Sequence, residues 1–234
     1  MSRLRFYLGS PNSQVQAAAV EGQDVLLSFA VHRRCGWITQ YIPRFRGYLV
    51  DSGAYSEFAS RVKVDLEEYA AWAEPHRGTA DAIAALDDIA GDWKKGMAQW
   101  RKYPWMFPTY HSSDPPEVLQ EILSHRPRWL GLGMVPPRTH TQWLRETLEV
   151  LSDHPAIHVH GWALGKYRAE RRLDSVDSTN WWRDGMQLRK DLPWLTYAEC
   201  LDLIVKRYQR EPCMRALAAT PQREDSLSLE NFWE

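Results

Sequence analysis

The sequence predicts an α/β fold, a compact single-domain (β/α)8 TIM barrel, on three observations. Short apolar runs end in small or polar residues, stretches with helical spacing separate them, and the alternation recurs eight times. The 234 residues suit a barrel with few insertions, since the typical length is ~250 and the lower limit ~200. No fixed-period repeat, low-complexity tract or Gly/Ser linker interrupts the chain before its last twenty residues. The expected division is therefore residues 1–212 as one domain and 213–234 as a polar tail.

The runs, in order, are Leu4 to Leu8, Val25 to Phe29, Tyr48 to Val50 before Asp51, and Ala82 to Leu86 before Asp87. Trp105 to Thr109, Trp129 to Leu132, Ile157 to His160 and Leu173 to Val176 before Asp177 complete the set. Each is short enough for a strand buried on both faces, as a parallel sheet requires. Ala82 to Leu86 is helical on propensity alone and is assigned as a strand by its place in the alternation. Helices are expected over Leu66 to Ala73, Gly91 to Arg101, Pro115 to Ser124 and Thr141 to Ser152. Asp114 before Pro115 and Pro116 reads as a helix cap followed by proline in the first turn. Tyr197 to Tyr208 places Leu201, Ile204, Val205 and Tyr208 on one face of a last helix, and beyond Pro212 the chain turns polar.

A 44% hydrophobic, 25% charged composition is that of an ordinary globular protein. No apolar run nears the ~20 residues of a membrane span, and Met1-Ser2-Arg3-Leu4-Arg5 opens no signal-peptide core. Cys35, Cys200 and Cys213, odd in number and far apart, fit reduced thiols and a cytoplasmic location. They also lack the close spacing that starts a structural zinc site, and neither metal nor cofactor is expected. A net charge of −1 argues against non-specific coating of nucleic acid. Local basic clusters remain: Arg33, Arg34, Arg44 and Arg46; Lys94, Lys95, Arg101 and Lys102; Arg168, Arg171, Arg172 and Arg183. The twelve Trp either fill the core or offer faces for stacking, and most are assigned to the core.

In such a barrel the chemistry gathers at the carboxyl ends of the strands. The residues placed there are Asp51, Asp87 or Asp88, His111, Gly131 to Gly133, His158 or His160, and Asp174 with Asp177. Singly, an aspartate at a strand end is a turn or helix cap. Several converging on one mouth repel each other, which a reaction or a cationic partner would explain. His158 and His160 are expected to alternate, one pointing inward and one away. Filling of the barrel or polar contact with a ligand is expected of the histidines, rather than a metal site.

Ordered motifs then resemble the tRNA-guanine transglycosylases. Val50-Asp51-Ser52-Gly53-Ala54-Tyr55-Ser56 is similar to that family's Asp-Ser-Gly-Gly-Phe-Gln, Leu86-Asp87-Asp88 to its apolar-Asp-Glu, and Leu130-Gly131-Leu132-Gly133 to its Gly-Gly-Leu. His160-Gly161-Trp162, followed by Asp174-Ser175-Val176-Asp177, resembles the segment ending in the family's nucleophile. The family's zinc module is absent, so the likeness is greatest to small zinc-free 7-deazaguanine DNA transglycosylases of phages and bacterial modification clusters.

This resemblance implies a pentosyltransferase that exchanges guanine in DNA for a free 7-deazaguanine base. Asp177 would be the nucleophile and Asp51 the general acid/base. Asp87 or Asp88 would read the purine edge and Tyr55 would stack on it. Ser52, Gly53, Gly131, Gly133, His111, His160, Gly161 and Asp174 would line the pocket, and Arg183 would hold a phosphate. Trp181 and Trp182 either wedge against an unstacked strand or pack under the last helix. A flipped-out base calls for a helper protein to open DNA, and a homodimer is implied. Exchange in tRNA, hydrolysis of an N-glycoside, and a non-catalytic nucleic-acid binding module are the alternatives.

Overall fold

The computed structural model describes residues 4–55, 63–89, 92–133, 141–164 and 172–210. The polar tail expected at 213–234 lies outside them. The strands are β1 (Arg5–Gly9), β2 (Asp24–Ser28), β3 (Gly47–Asp51), β4 (Ala82–Ile83), β5 (Thr109–His111), β6 (Trp129–Gly133), β7 (His158–Gly161) and β8 (Ser175–Ser178). Between and after them run α1 (Gln14–Ala19), α2 (Phe29–His32), α3 (Leu66–Ala73), α4 (Trp93–Lys102), α5 (Pro116–Ser124), α6 (Thr141–Ser152), α7 (Asn180–Asp191) and α8 (Tyr197–Arg210).

The eight strands form one sheet in the order β4-β3-β2-β1-β8-β7-β6-β5, and every neighbouring pair is parallel. Its two ends meet at a parallel bridge between Ala84 and Phe107. There the Phe107 amide donates to Ile83 O and the Ala85 amide donates to Phe107 O, each at 2.8 Å. The expected strand at Trp105 to Thr109 therefore pairs mainly at its far end and runs on to His111. Pro108 has no N–H to give a ladder, so regular pairing starts only after it.

Because side chains alternate along a strand, each strand feeds two cores. Tyr7, Leu26, Leu49, Ala84 and Phe107 point inward and pack with Trp129 and Trp162 along the barrel axis. Phe107 and Trp162 stack with centroids 5.9 Å apart and planes 9° from parallel. Outward, Val25, Leu27, Val50, Leu130, Leu132, Val159 and Val176 meet apolar helix faces such as Leu119 and Ile122 of α5 and Leu144 and Leu148 of α6. Each such side chain, fully buried, stabilises the fold by ~1.5–3 kcal/mol.

At the amino ends of the strands an ion-pair network closes the floor. Arg5 reaches Asp24 at 2.8 Å and Asp81 at 2.9 Å, and Arg46 also pairs with Asp24. Tyr7 donates its hydroxyl to Asp81. Burial of Asp24 is tolerable only because two guanidiniums compensate it, and they hold its carboxyl below the usual range against the opposing pull of desolvation. Arg172 does similar work beside β8, bonding Asp174 at 2.8 Å and the carbonyls of Leu151, His154 and Ile157.

At the carboxyl ends, α7 returns across the barrel with Trp181 fully buried and its indole N–H on Gly9 O at 3.0 Å. Trp181 thus packs within the fold, while Trp194 stands 75% exposed. Asp114 does not cap α5. Pro115 holds that place, and the Asp114 carboxylate accepts the His111 amide at 2.8 Å instead.

The inner core leaves no slack at Gly131. A Cβ there would lie 2.3 Å from Trp162 Nε1 and 2.8 Å from Thr109 Oγ1, so Gly131→Ala must displace the Trp162–Thr109 hydrogen bond. The expected cost is ~1–3 kcal/mol, as for an overpacked core. Urea denaturation measures it, and a loss below ~0.5 kcal/mol would contradict the packing described.

Candidate functional site

The carboxyl-end rim is built strand by strand. β3 ends on Asp51 and turns at once through Gly53, whose φ of +82° suits glycine. A Cβ at Gly53 would come within 2.4 Å of the Ala30 Cβ. The turn brings the Gly53 amide to Asp51, while buried Ser52 directs its Oγ to the Ala54 amide at 3.3 Å. Ser52 and Gly53 thus shape the turn that presents Asp51.

Asp51 sits among like charges. Burial is the main force raising its carboxyl from 3.8 to about 7, and Asp87 and Asp177 push the same way. The Gly53 amide and Ser28 oppose the rise. Ser28, which ends β2, has a buried Oγ close enough to act on Asp51 but not in hydrogen-bonding geometry with any partner. Asp51 is consequently divided between acid and carboxylate near neutral pH.

Asp87, just past β4, bonds His111 Nε2 at 2.8 Å, and Asp114 Oδ2 stands 3.6 Å from His111 Nδ1. Desolvation pulls the imidazole down, but the hydrogen bonds to Asp114 and Asp87 and their charges raise it to about 10. His111 is thus a cation between two carboxylates. Gly133 opposite makes room for it, since a Cβ there would lie 2.6 Å from His111 Cδ2. Asp88 pairs with Lys95 of α4 at 2.8 Å, whereas Asp87 pairs with His111.

β8 carries Asp177, buried apart from a small part of its surface. Its Oδ1 accepts the Ala163 amide at 2.7 Å and lies 3.4 Å from His160 Nε2. Ala163 holds a φ of +52°, unusual for a residue with a side chain. The turn after Gly161 is tight, with a Cβ on Gly161 falling 2.9 Å from Leu164 Cβ. His160 is fully buried beneath, edge-on to Tyr7 and Trp162.

Sequence reasoning places Asp51, Asp87 and Asp177 at one rim, and the structure brings Asp87 and Asp177 each within electrostatic reach of Asp51. The other expected site residues lie as follows. Asp174 precedes β8 and accepts the Val159 amide and Arg172 at the floor, the opposite end from Asp177. Gly131 and Gly133 do not open backbone to a pocket, because Trp162 and His111 occupy that space. Arg183 lies over the Trp182 ring on α7, 5.5 Å from its centroid. Tyr55 is 48% exposed. His158 and His160 do not alternate, since residues two apart share a strand face, and both reach Ser175 Oγ. Among the described residues no group of three or more His, Cys, Asp or Glu is arranged to hold a metal.

Ser28, Asp114 and Ser175 escaped the sequence reading. Ser28 is the polar end of an apolar run, as Asp51 is, but the run was extended through Phe29 and hid it. Asp114, three residues from His111, carried a signal that was assigned to a helix cap instead.

No family model matches the sequence, and no curated protein matches it. The fold does match solved structures. One is described as a "putative fructose-1,6-biphosphate aldolase" from Coccidioides immitis, with a TM-score of 0.60, 9% identity and 88% of each chain covered. Another is the YdjI aldolase of Escherichia coli K12, with a TM-score of 0.60, 12% identity, and 88% of this chain and 89% of that one covered. At such identities the likeness shows the barrel. These findings overturn the transglycosylase resemblance, since these two solved structures are described as aldolases and no family model matches the sequence. Guanine exchange in DNA or tRNA, a pentosyltransferase activity and N-glycoside hydrolysis are withdrawn with it.

The His111 cluster makes its own prediction. His111→Gln leaves Asp87 and Asp114 facing each other without a cation, and should cost about 3 kcal/mol, as for a broken buried ion pair. The raised imidazole contributes stability present in full below its ordinary 6.5 and lost as pH rises through about 10. The deficit of the variant should therefore be largest near neutral pH and shrink in alkali, with Asp87→Asn added to His111→Gln recovering part of it. Chemical denaturation across pH checks this, and a pH-independent deficit would count against the cationic assignment.

Proposed function

We propose that this chain is a barrel lyase that cleaves, or forms, a carbon–carbon bond in a small hydroxylated carbonyl compound by general acid–base catalysis. The observation that carries the reading is Asp51, whose carboxyl is raised to about 7 at the carboxyl rim beside Asp87 and Asp177. A proton carrier works best when its pKa lies near the operating pH, and burial among like charges is how a carboxyl reaches that range. The match to aldolase barrels adds support at the level of fold.

Aldol cleavage needs a base for the β-hydroxyl proton and an acid for the carbanion formed as the bond breaks. In the proposed cycle ionised Asp51 takes the hydroxyl proton, the C–C electrons move into the carbonyl group as an enolate, and protonated Asp51 returns the proton to carbon. Asp177, held by the Ala163 amide, accepts a second substrate hydroxyl and orients it. Asp87 is charge-balanced by His111, so it accepts hydrogen bonds without adding a full uncompensated charge. We also place the protein in the cytoplasm, a reading supported by the free thiols of Cys35 and Cys200. No helix among the described residues is long and apolar enough to cross a membrane.

Two measurements test Asp51. Incubation in D2O with a panel of hydroxyaldehydes and hydroxyketones, read by mass spectrometry and by aldehyde release, should show α-deuterium exchange and cleavage. Asp51→Asn should lower both ~10²–10⁴-fold, and a rate limb near neutral pH in the native protein should vanish. No turnover of any member, or full activity in the variant, overturns the proposal.

Stability gives the second. A carboxyl raised from 3.8 to about 7 contributes stability present in full below 3.8 and lost as pH rises through the folded value. Asp51→Asn should therefore raise Tm by several degrees at about pH 8 and by less than half as much at about pH 5. Equal shifts at both pH values would contradict the raised carboxyl.

A further inference from the structure

A line of polar atoms runs inside the barrel from floor to rim. His158 Nε2 lies 2.7 Å from Ser175 Oγ, and Ser175 Oγ lies 2.8 Å from His160 Nδ1. His160 Nε2 then faces Asp177 Oδ1 at 3.4 Å and is buried without a completed hydrogen bond. His160 and Ser175 have no exposed surface. The chain crosses between neighbouring strands, because His160 and Ser175 are paired in the β7–β8 register. At the floor His158 stacks on Trp129 with centroids 3.5 Å apart, and Asp174, Arg5 and Asp81 act on it electrostatically.

The proton count orders this line. A hydroxyl has one proton and two lone pairs, so Ser175 can donate to at most one of the two histidines. An ionised Asp177 only accepts. If His160 turned a bare Nε2 toward it, lone pairs would face a carboxylate in a buried setting, where an unmatched acceptor is costly. His160 therefore carries its proton on Nε2. Its Nδ1 is then bare and accepts from Ser175, and Ser175 in turn accepts from a proton on His158 Nε2. Each hydrogen bond points toward Asp177. Desolvation is the largest force lowering His158 to about 4, with Arg5 pushing the same way against the opposing pull of Asp174 and Asp81, so His158 enters the chain as a neutral ring with one proton to donate.

We propose that His158, Ser175 and His160 form a hydrogen-bond chain of fixed polarity that locks His160 as an Nε2–H donor beneath Asp177. The three are positioning residues for that carboxylate, acting on the same Oδ1 that accepts the Ala163 amide. This rests on Asp177 working at the rim as proposed above. The 3.4 Å approach is long for a hydrogen bond, and such contacts often tighten when a substrate completes the site.

Histidine tautomers are read directly by ¹⁵N NMR on the full-length protein labelled at histidine, without substrate. The expected spectrum shows the proton on Nε2 rather than Nδ1 in both His158 and His160, with a preference of about tenfold or more. Ser175→Ala removes little volume and leaves both rings in place, and should reduce the His160 preference to a mixture of tautomers. A proton on His160 Nδ1 in the native protein, or a His160 ratio unaltered by Ser175→Ala, overturns the chain. Because no substrate is present, failure of aldol cleavage leaves this result readable, and a wrong tautomer leaves the Asp51 measurements standing.

Discussion

Closure of the sheet is the constraint from which the rest of this structure follows. An open eight-stranded sheet would have two edges with unpaired amides and carbonyls, and its inner face would be exposed. Here the bridge from Ala84 to Phe107 joins β4 to β5, and the inner face becomes a sealed column. Once it is sealed, the sheet register decides the height of every inward residue. Asp24 lies near the floor, Arg5, Ser175 and His160 share one level by pairing, Leu26 pairs with Leu49 in the middle, Ser28 pairs with Asp51 at the rim, and Asp177 stands two residues above Ser175 on β8. Position along the axis then sets the chemistry, since a charge at the floor meets a guanidinium and a charge at the rim meets another carboxylate.

The two ends solve the same problem differently. At the floor, Arg5, Arg46 and Arg172 neutralise Asp24, Asp81 and Asp174 with direct ion pairs. At the rim the compensation is incomplete. His111 serves Asp87 and Asp114, while backbone amides serve Asp51 and Asp177. Amides are dipoles and offset less charge than a guanidinium does, so burial first, and then the charges of Asp87 and Asp177, lead Asp51 to take up a proton. Residual electrostatic stress at one end of an otherwise balanced barrel marks where chemistry is placed.

The fold was largely legible in the sequence because it rests on patterns of short range. Leu66–Ala73 and Thr141–Ser152 are helices with the bounds their spacing predicts, and seven of the eight apolar runs begin within two residues of their strands. The β5 run was displaced because strand pairing depends on donors that Pro108 lacks, which hydrophobicity does not register. The site was legible where a side chain ends a strand, as at Asp51 and Asp177. It was illegible where the role depends on a partner far along the chain. Ser175 matters through its distances to two histidines of β7, and nothing in the local run around it reveals them. Asp174 and Asp177, three residues apart, occupy opposite ends because ~3.3 Å per residue carries a strand through most of the barrel's height.

The misleading family likeness has a physical origin in the same geometry. Its motifs were aspartates ending strands, glycines beside them and an aromatic nearby, and each has a structural cause here unrelated to guanine. Gly53 is required by a positive φ and by Ala30 pressing against it. Gly131 and Gly133 are required by the bulk of Trp162 and His111, and Ser52 by a turn amide. Any compact barrel with large aromatic side chains inside and carboxylates at its rim must place small residues on neighbouring strands to admit them. Such residues recur in the order of the strands, so an ordered set of short motifs follows from the architecture itself. What separates one barrel chemistry from another is the pairing of groups across strands, such as Asp87 with His111 and His160 with Asp177, and the distances that fix those pairings are set by the fold.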